Sequence, residues 1–261
     1  MLARNFEDYQ SFAIQTAVEA GRDTLSRFRQ KIPIENKAGP GSFDPVTDAD
    51  RDAETIIRGR IAEAYPEHGI LGEEFGHQEG NGLTWVIDPI DGTRAFMTGM
   101  LHWGVLLALY DGTNPIVGVM YQPFTEEIYT GCNGAAEYRR GDEVRELRVR
   151  ECTGLDDAVL ACTGPEIWAE SGQAEFDRLT KLVKLTRYGG DCYLYCMLAM
   201  GFIDLAVEAL NSYDIQALIP IIEGAGGIIT TVDGGNASQG GIVVAAGDKR
   251  VHAQALEIMN S

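Results

Sequence analysis

The sequence lacks the features that define several classes of protein. None of its apolar runs approaches the ~20 residues needed to cross a bilayer, so no membrane-spanning helix is predicted. The N-terminal segment MLARNFEDYQ reaches acidic residues at once and has no apolar stretch, which predicts no secretory signal. The 31 glycines follow no three-residue period, which excludes a collagen-like fibre.

Histidine and cysteine are too few and too scattered for a His/Cys zinc site. The four histidines are dispersed, and the five cysteines, at positions 132, 152, 162, 192 and 196, include no C-x-x-C pair. An odd number of cysteines without such a pair is typical of reduced thiols. We therefore predict a protein of the cytosol.

Basic residues are also scarce, with 21 lysines and arginines against 39 acidic residues and a net charge of −18. A surface of this sign repels nucleic-acid phosphate and anionic lipid, so we expect neither nucleic acid nor a membrane as a partner. The rest of the composition is that of a globular protein, with 45% apolar and 23% charged residues. A chain of 261 residues is long enough for one large domain or for two lobes around a shared site.

Hydrophobic periodicity predicts an initial helix that ends near Arg29 and a second helix that begins at Thr47 or Asp48 and stops at Pro66. The apolar runs TWVIDPIDGT, GVLLALY and IVGVMYQP are typical of strands. Strands and helices alternate in the second half, where DIQALIPIIEGAGG is predicted to form one helix. Charged residues crowd 139–151, which indicates a solvated hairpin and a boundary between lobes 1–147 and 148–261.

The segment Asp88-Pro89-Ile90-Asp91-Gly92-Thr93 carries the strongest chemical signal. Asp88 ends an apolar strand, where a buried carboxylate is costly unless it is paired or bound to a metal. Asp91 follows past a proline that fixes the bend, so two carboxylates and the Ile90 carbonyl converge as the hard oxygen ligands that Mg²⁺ prefers. If a helix begins here, its free N–H groups form a phosphate seat at Gly92, Thr93 and Arg94.

Three further segments are acidic, but each alone has an ordinary explanation. Gly72-Glu73-Glu74 precedes a glycine-rich loop and can be a solvated surface pair. In the segment from Asp44 to Asp50, Asp48 and Asp50 suit the first turn of any helix, where they face the positive end of the dipole. Asp214, in Tyr213-Asp214, suits a helix N-cap.

Taken in order, G-E-E, D-P-I-D-G-T and an aspartate that opens a late helix resemble the signature of the inositol monophosphatase family. The resemblance covers nearly the whole chain, from V-T-x-x-D at 46–50 to E-G-A-G-G at 223–227. Tyr213 stands where most members have tryptophan, and it keeps an aromatic ring there. The resemblance implies an α/β (α+β) fold, the layered α-β-α-β-α sandwich of the inositol monophosphatase and fructose-1,6-bisphosphatase type, and a homodimer.

Within the family, three segments resemble the histidinol-phosphate phosphatase branch more than the inositol enzymes: D-G-T-R-A-F at 91–96, R-Y-G-G-D-C-Y at 187–193 and the late helix at 212–227. That branch hydrolyses histidinol phosphate in histidine biosynthesis. The alternatives are an inositol-1-monophosphatase, a broad-specificity sugar-phosphate or nucleotide phosphatase, and a non-catalytic relative that binds a phosphate ligand or a partner protein. The full set of acids argues against the last, because a binding protein has no need to activate water.

The resemblance also implies a mechanism, the metal-assisted hydrolysis of a phosphate monoester with no covalent enzyme intermediate. Two or three Mg²⁺ would be held by Glu73, Asp88, the Ile90 carbonyl, Asp91 and Asp214. Glu74 would orient or deprotonate the attacking water, and the Thr93 hydroxyl, hydrogen-bonded to Asp50, would share that task. The N–H groups of Gly92 and Thr93 would bind phosphate oxygens.

Four more residues are candidates for contact with the substrate. Arg187 matches a substrate-contacting position of the histidinol-phosphatase branch, or it forms a structural ion pair. Arg94 reaches the phosphate or covers the turn. Asp191 and Glu208 would face the ammonium or imidazole of histidinol, or they are an N-cap and a surface acid. Pro220 would break a backbone hydrogen bond inside the predicted late helix, and we have no functional account of it.

Overall fold

The computed structural model describes residues 6–31, 33–36, 45–168 and 172–261, and Asp44 of the predicted site lies outside them. None of the helices in these ranges is long and apolar enough to cross a membrane. The helices are α1 (Phe6–Arg27), α2 (Asp48–Ala64), α3 (Thr93–Met97), α4 (Gln173–Leu182), α5 (Asp191–Ala199), α6 (Ser212–Ile215), α7 (Leu218–Gly224) and α8 (Lys249–Met259).

The strands form one large sheet, one smaller sheet and a two-stranded pair, β1 with β2. The large sheet has eight strands in the order β10-β9-β8-β7-β6-β5-β3-β4, and the smaller has five in the order β12-β11-β13-β15-β14. The strands are β1 (Ile34–Asn36), β2 (Pro45–Thr47), β3 (Gly69–Gly72), β4 (Gly76–Gln78), β5 (Thr84–Asp91), β6 (Gly104–Tyr110), β7 (Pro115–Gln122), β8 (Glu127–Cys132), β9 (Ala135–Arg140), β10 (Glu143–Glu146), β11 (Val159–Cys162), β12 (Leu185–Tyr188), β13 (Leu205–Leu210), β14 (Ile228–Thr231) and β15 (Gly241–Ala246).

Helices and sheets alternate in layers, which confirms the predicted sandwich. α1 and α2 cover one face of the large sheet, and the apolar face of α2 buries Ile57 and Ile61 there. α5 and α7 lie between the two sheets, and α4 and α8 pack over the outer face of the smaller one. The predicted boundary between 147 and 148 falls between the last strand of the large sheet and the first strand of the smaller one; the division into two lobes stays a prediction.

The predicted late helix is divided into α6 and α7, but Gln216 and Ala217 between them keep right-handed helical backbone angles. Pro220, the third residue of α7, has no N–H to donate to the Gln216 carbonyl one turn earlier. The proline therefore interrupts the hydrogen bonding of this helix, as the sequence predicts, without ending its turn. A Cβ at Gly131 would overlap with the backbone of Pro220, and one at Gly118 with the Ala217 carbonyl, so both glycines let this segment lie directly on the large sheet.

We predict opposite effects for two glycine-to-alanine changes. Gly118→Ala should lower the free energy of unfolding by about 1–3 kcal/mol, because the new methyl group meets backbone that cannot move aside. Gly59→Ala, inside α2 with open space around it, should raise that free energy by roughly 0.5–1 kcal/mol through the lower entropy of the unfolded chain. Urea denaturation measures both. A Gly118→Ala protein as stable as the wild type would contradict the close packing of α7.

Candidate active site

An open cleft lies where β5 ends, beside the start of α3 and the start of α6. Its walls include every residue that the sequence predicts as a metal ligand, together with Gly92, Thr93, Arg94 and Asp191. The predicted ligands come from the turn after β3, from β5 and from α6: Glu73, Asp88, Ile90, Asp91 and Asp214. Segments more than a hundred residues apart in sequence therefore meet in one place.

Three aspartates form the centre of the cleft. One carboxylate oxygen each of Asp88, Asp91 and Asp214 lies within 4.8 Å of the others, and we call these residues the aspartate cluster. Burial raises the pKa of Asp88 well above its usual range, and repulsion from Glu73, Asp91 and Asp214 raises it further. Burial likewise raises the pKa of Asp91, with additional repulsion from Asp191 and Asp214. Without a cation, the charged form of this cluster is strongly disfavoured.

Backbone amides hold the two aspartates of the D-P-I-D motif in place. The Ile90 N–H donates to Asp88 Oδ1 at 3.1 Å, across the bend that Pro89 introduces. The Cys192 N–H, at the start of α5, donates to Asp91 Oδ2 at 2.5 Å. A carboxylate has two oxygens, so each aspartate keeps a second one for another partner.

The other two aspartates are oriented by helix capping. Asp50 Oδ2 accepts from the Thr47 N–H at 2.8 Å and from the Thr47 hydroxyl at 2.6 Å, which makes a capping box at the start of α2. Asp214 Oδ2 accepts from the Asn211 N–H at 2.6 Å and forms the same motif at α6. Asp50 therefore lies in the first turn of its helix as predicted, whereas the predicted N-cap role of Asp214 is wrong, because Asn211 is the N-cap and Asp214 is the third helical residue.

Asp50, Thr93 and the Ile90 carbonyl form a small polar group next to the cluster. The Thr93 hydroxyl donates to the Ile90 carbonyl at 3.1 Å and lies 3.5 Å from Asp50 Oδ1, so its contact with Asp50 is the longer one. Burial raises the pKa of Asp50 to about 6; the hydrogen bonds from Thr47 oppose the shift and the Glu74 carboxylate adds to it. Such a carboxyl can exchange a proton near neutral pH.

The start of α3 suits an anion. Gly92 is its N-cap with φ 87°, in the left-handed region, and a Cβ there would overlap with the His102 carbonyl. Both the backbone conformation and the lack of space therefore require glycine at this position. The first turn of a helix leaves N–H groups without acceptors inside the helix, and here Gly92, Thr93 and Arg94 line the cleft. Amides at this place can bind phosphate oxygens.

The cleft continues into a smaller cavity of about 150 Å³, here called the side cavity, between Asp91 and β13. Glu208, 1% exposed, lines it beside Asp191 and Tyr195. One Glu208 oxygen accepts from the Thr163 N–H. The other, Oε2, makes no hydrogen bond of normal geometry among the described residues, and the Tyr195 hydroxyl lies close enough to lower the pKa of Glu208. Burial raises the pKa of Glu208 to about 7 despite the bond from Thr163, and burial raises that of Asp191 to about 6.

The two predicted arginines differ in position. Arg94 lines the cleft, and its Nη1 lies 3.5 Å from Glu166 Oε1 in an exposed ion pair. Arg187 is exposed on the edge strand β12, paired in register with Ala161, and is not among the described residues that line the cleft or the side cavity.

Sequence reasoning missed several residues of the site. Thr163 and Cys192 act through backbone N–H groups, for which no side-chain pattern exists. Asn211 could have been found, because N-x-x-D before a helix is a capping signal. Glu54, buried in α2, binds the backbone after Glu73, and nothing local in the sequence predicts that contact.

The cleft also fits a magnesium ion by the chemistry of its donors. Carboxylate and carbonyl oxygens are the ligands that hard divalent cations prefer, and the described part of the cluster offers no thiol or imidazole ligand. The profile of the inositol monophosphatase family matches residues 5–261. The chain belongs to the inositol monophosphatase family. It is therefore a phosphatase of that family, and enzymes of the family use Mg²⁺.

Relatives in this family carry different substrate names. The chain is 40% identical over 243 residues to the chloroplastic bifunctional phosphatase IMPL2 of Arabidopsis thaliana, which covers 88% of this chain and 68% of that protein. It is 35% identical over 218 residues to the histidinol-phosphatase of Chlorobaculum parvum, and the matched region covers 82% of each chain. The solved structure of an inositol monophosphatase from Zymomonas mobilis is 37% identical and superposes with a TM-score of 0.87, over 99% of this chain and 100% of that one.

We predict that the aspartate cluster destabilises the protein when no divalent cation is present. A raised pKa means that folding favours the protonated acid, so stability falls as the pH rises from about 4 towards the folded-state value. In EDTA, Asp88→Asn should therefore melt at a higher temperature than the wild type, with a difference that grows from pH 5 to pH 8. Added Mg²⁺ should raise the melting temperature of the wild type more than that of the variant.

The control is Asp142→Asn, which removes the same charge from an exposed position. Differential scanning fluorimetry of the three proteins provides the measurement. A stabilisation by Asp88→Asn that is equal at pH 5 and pH 8, or equal to that of Asp142→Asn, would contradict the prediction.

Proposed function

We propose that the chain is a Mg²⁺-dependent phosphate monoester hydrolase with histidinol phosphate as its substrate. The observation that carries the proposal is the buried Glu208 carboxylate, which lies with Asp191 in the wall of a cavity that shares Asp91 and Asp214 with the aspartate cluster. A phosphate held at the cluster would direct its alcohol group towards this acid. The histidinol-phosphatase of Chlorobaculum parvum, similar over most of both chains, supports the same substrate.

In the proposed mechanism, different residues of the cleft have different chemical roles. Bound Mg²⁺ supplies a water of lowered pKa and stabilises the leaving oxygen. In the proposal, Glu73, Asp88, the Ile90 carbonyl, Asp91 and Asp214 would hold the metal.

The water is handled by acids just outside the metal ligands. In the proposal, Glu74 orients the water, and Asp50, with a pKa of about 6, takes up its proton by way of the Thr93 hydroxyl. The amides of Gly92 and Thr93 orient the phosphate, and Arg94 at the rim of the cleft adds a positive charge.

Specificity must come from the far end of the substrate, because phosphate contacts are common to all monoesters. Glu208 and Asp191 both line the side cavity, and their carboxylates suit the ammonium of histidinol. Inositol phosphate offers hydroxyl groups instead, which leave a buried carboxylate without a compensating charge. The inositol monophosphatase of Zymomonas mobilis keeps inositol 1-phosphate as the second candidate.

The test of the function is a phosphate-release assay on a panel of monoesters, with and without EDTA. We expect kcat/KM to be at least about tenfold higher for histidinol phosphate than for inositol 1-phosphate or adenosine 3′,5′-bisphosphate, which corresponds to the ~1.5–3 kcal/mol of one charged hydrogen bond. EDTA should abolish phosphate release from all of them. Full activity after exhaustive chelation would reject the metal mechanism, and a preference for inositol 1-phosphate would reject the proposed substrate.

Glu208→Gln should reduce kcat/KM for histidinol phosphate about ten- to a hundredfold, because the neutral amide cannot form a charge-assisted hydrogen bond with the ammonium. Hydrolysis of glycerol 2-phosphate, which has no cationic group, should be nearly unchanged. For the wild type, kcat/KM for histidinol phosphate should rise relative to that for glycerol 2-phosphate between pH 6 and 8. Glu208, with its pKa of about 7, becomes charged in this range.

The ratio of the two substrates cancels the titration of the phosphate group that both share. In Glu208→Gln the rise of this ratio should be clearly smaller, and what remains comes from Asp191 and from the imidazole of histidinol phosphate, which also titrate near this range. Equal losses on both substrates would mean that Glu208 supports the fold or the metal site instead. The homodimer and the cytosolic location stay predictions.

A further inference from the structure

Glu54 is a buried acid that none of the predicted roles uses. It lies on α2 one helical turn after Asp50, and its side chain is fully buried. A buried carboxylate is costly unless it is paired and hydrogen-bonded. The hydrogen-bond partners of Glu54 therefore show which part of the active site it supports.

Its partners are in the turn that carries Glu73 and Glu74. Glu54 Oε2 accepts from the Glu74 N–H at 2.7 Å, and Oε1 accepts from the Phe75 N–H at 3.2 Å. Arg58, one turn further along α2, donates its Nε to Oε1 at 2.7 Å and compensates the charge. Both oxygens of the carboxylate are thus occupied by hydrogen bonds.

Arg58 holds the far side of the same turn. Its Nη2 donates to the Gly76 carbonyl, and its guanidinium lies 5.9 Å from the centre of the Phe75 ring. On the near side, the Glu73 N–H donates to the Ile87 carbonyl of β5 at 3.2 Å. Glu73 is therefore tied to the strand of the aspartate cluster, whereas the backbone from 74 to 76 is tied to α2.

The glycine of the G-E-E motif has its explanation in the same contact. A Cβ at Gly72 would overlap with the Glu54 carboxylate, so any other residue would push this acid away from the turn. Gly72 is buried and has no positive φ, so space and not backbone conformation is the reason.

We propose that Glu54 is a positioning residue that aims Glu74 at the reacting water. The inference rests on the proposed phosphatase function, in which Glu74 acts beside Asp50. Both acids then depend on one helix: Asp50 is part of α2, and Glu74 is hydrogen-bonded to α2 through its own backbone N–H. A displacement of Glu74 by about 1 Å is enough to slow a reaction about a hundredfold.

The test is Glu54→Gln, which keeps the size of the side chain and one acceptor oxygen. With that oxygen on Phe75 and Arg58, the new NH₂ group faces the Glu74 N–H, donor against donor. We expect kcat for histidinol phosphate to fall about ten- to a hundredfold, with KM changed less than about twofold. The assay is run well below the melting temperature of the variant.

The matched control is Asp204→Asn. Asp204 is also fully buried and accepts from a guanidinium, that of Arg150, and from a backbone amide, the Val159 N–H at 2.7 Å. It lines neither the cleft nor the side cavity. This variant should lose a similar amount of thermal stability and keep its kcat.

A double-mutant cycle separates positioning from a structural role. If Glu54 acts through Glu74, adding Glu54→Gln to a Glu74→Gln protein should lower kcat by less than about twofold. Independent losses that multiply, or a folded Glu54→Gln protein with wild-type kcat, would overturn the proposal.

Crystal structures of the wild type and of Glu54→Gln provide a readout that does not need activity. We expect the backbone of Glu74 to move while the aspartate cluster stays in place, and an unmoved Glu74 would also overturn the proposal. A wild type that hydrolyses none of the monoesters would reject the proposed function, and the structural comparison would still decide the role of Glu54.

Discussion

Repulsion among closely spaced carboxylates is the constraint on which the rest of the site depends. Asp88, Asp91 and Asp214 bring oxygens within 4.8 Å of one another in the wall of the cleft, with Asp88 buried and the other two partly buried. Left to themselves, such groups would turn apart or take up protons. The fold opposes the first outcome, because a backbone amide holds one oxygen of each. Bound cations would oppose the second.

The amides that hold the aspartates come from different layers of the sandwich. Ile90 and Asn211 are local neighbours of the acids they bind, whereas Cys192 begins α5, between the two sheets. The geometry of the cluster therefore depends on the packing of α5 and α7 against the large sheet. Gly118 and Gly131 set how closely α7 can approach that sheet, and α6, which carries Asp214, directly precedes it. Packing far from the cleft thus determines the distances inside it.

On the opposite face of the large sheet, α2 supports the acids assigned to the water. Asp50 uses one oxygen to cap the helix and directs the other towards Thr93, and Glu54 binds the turn of Glu74 one helical turn later. The proposed metal ligands and the acids proposed to activate the water are consequently held by different parts of the structure. A change in α2 can then affect the reaction without dismantling the metal centre, in contrast to a change in the aspartate cluster.

Local signals in the sequence were enough to predict the layered fold, the family and most of the residues that line the cleft. A buried strand that ends in D-P-I-D-G-T and two helix-opening aspartates are short patterns, because strand burial and helix capping act over a few residues. Tertiary structure alone decided that the Cys192 N–H reaches Asp91 across 101 residues, that Glu54 binds the backbone of Glu74, and that Arg187 lies on an exposed edge strand. These contacts join backbone groups or distant elements, and a backbone N–H is the same in every residue except proline. No pattern of side chains in the sequence can predict these contacts, because they form only when the two sheets and the helices have packed together.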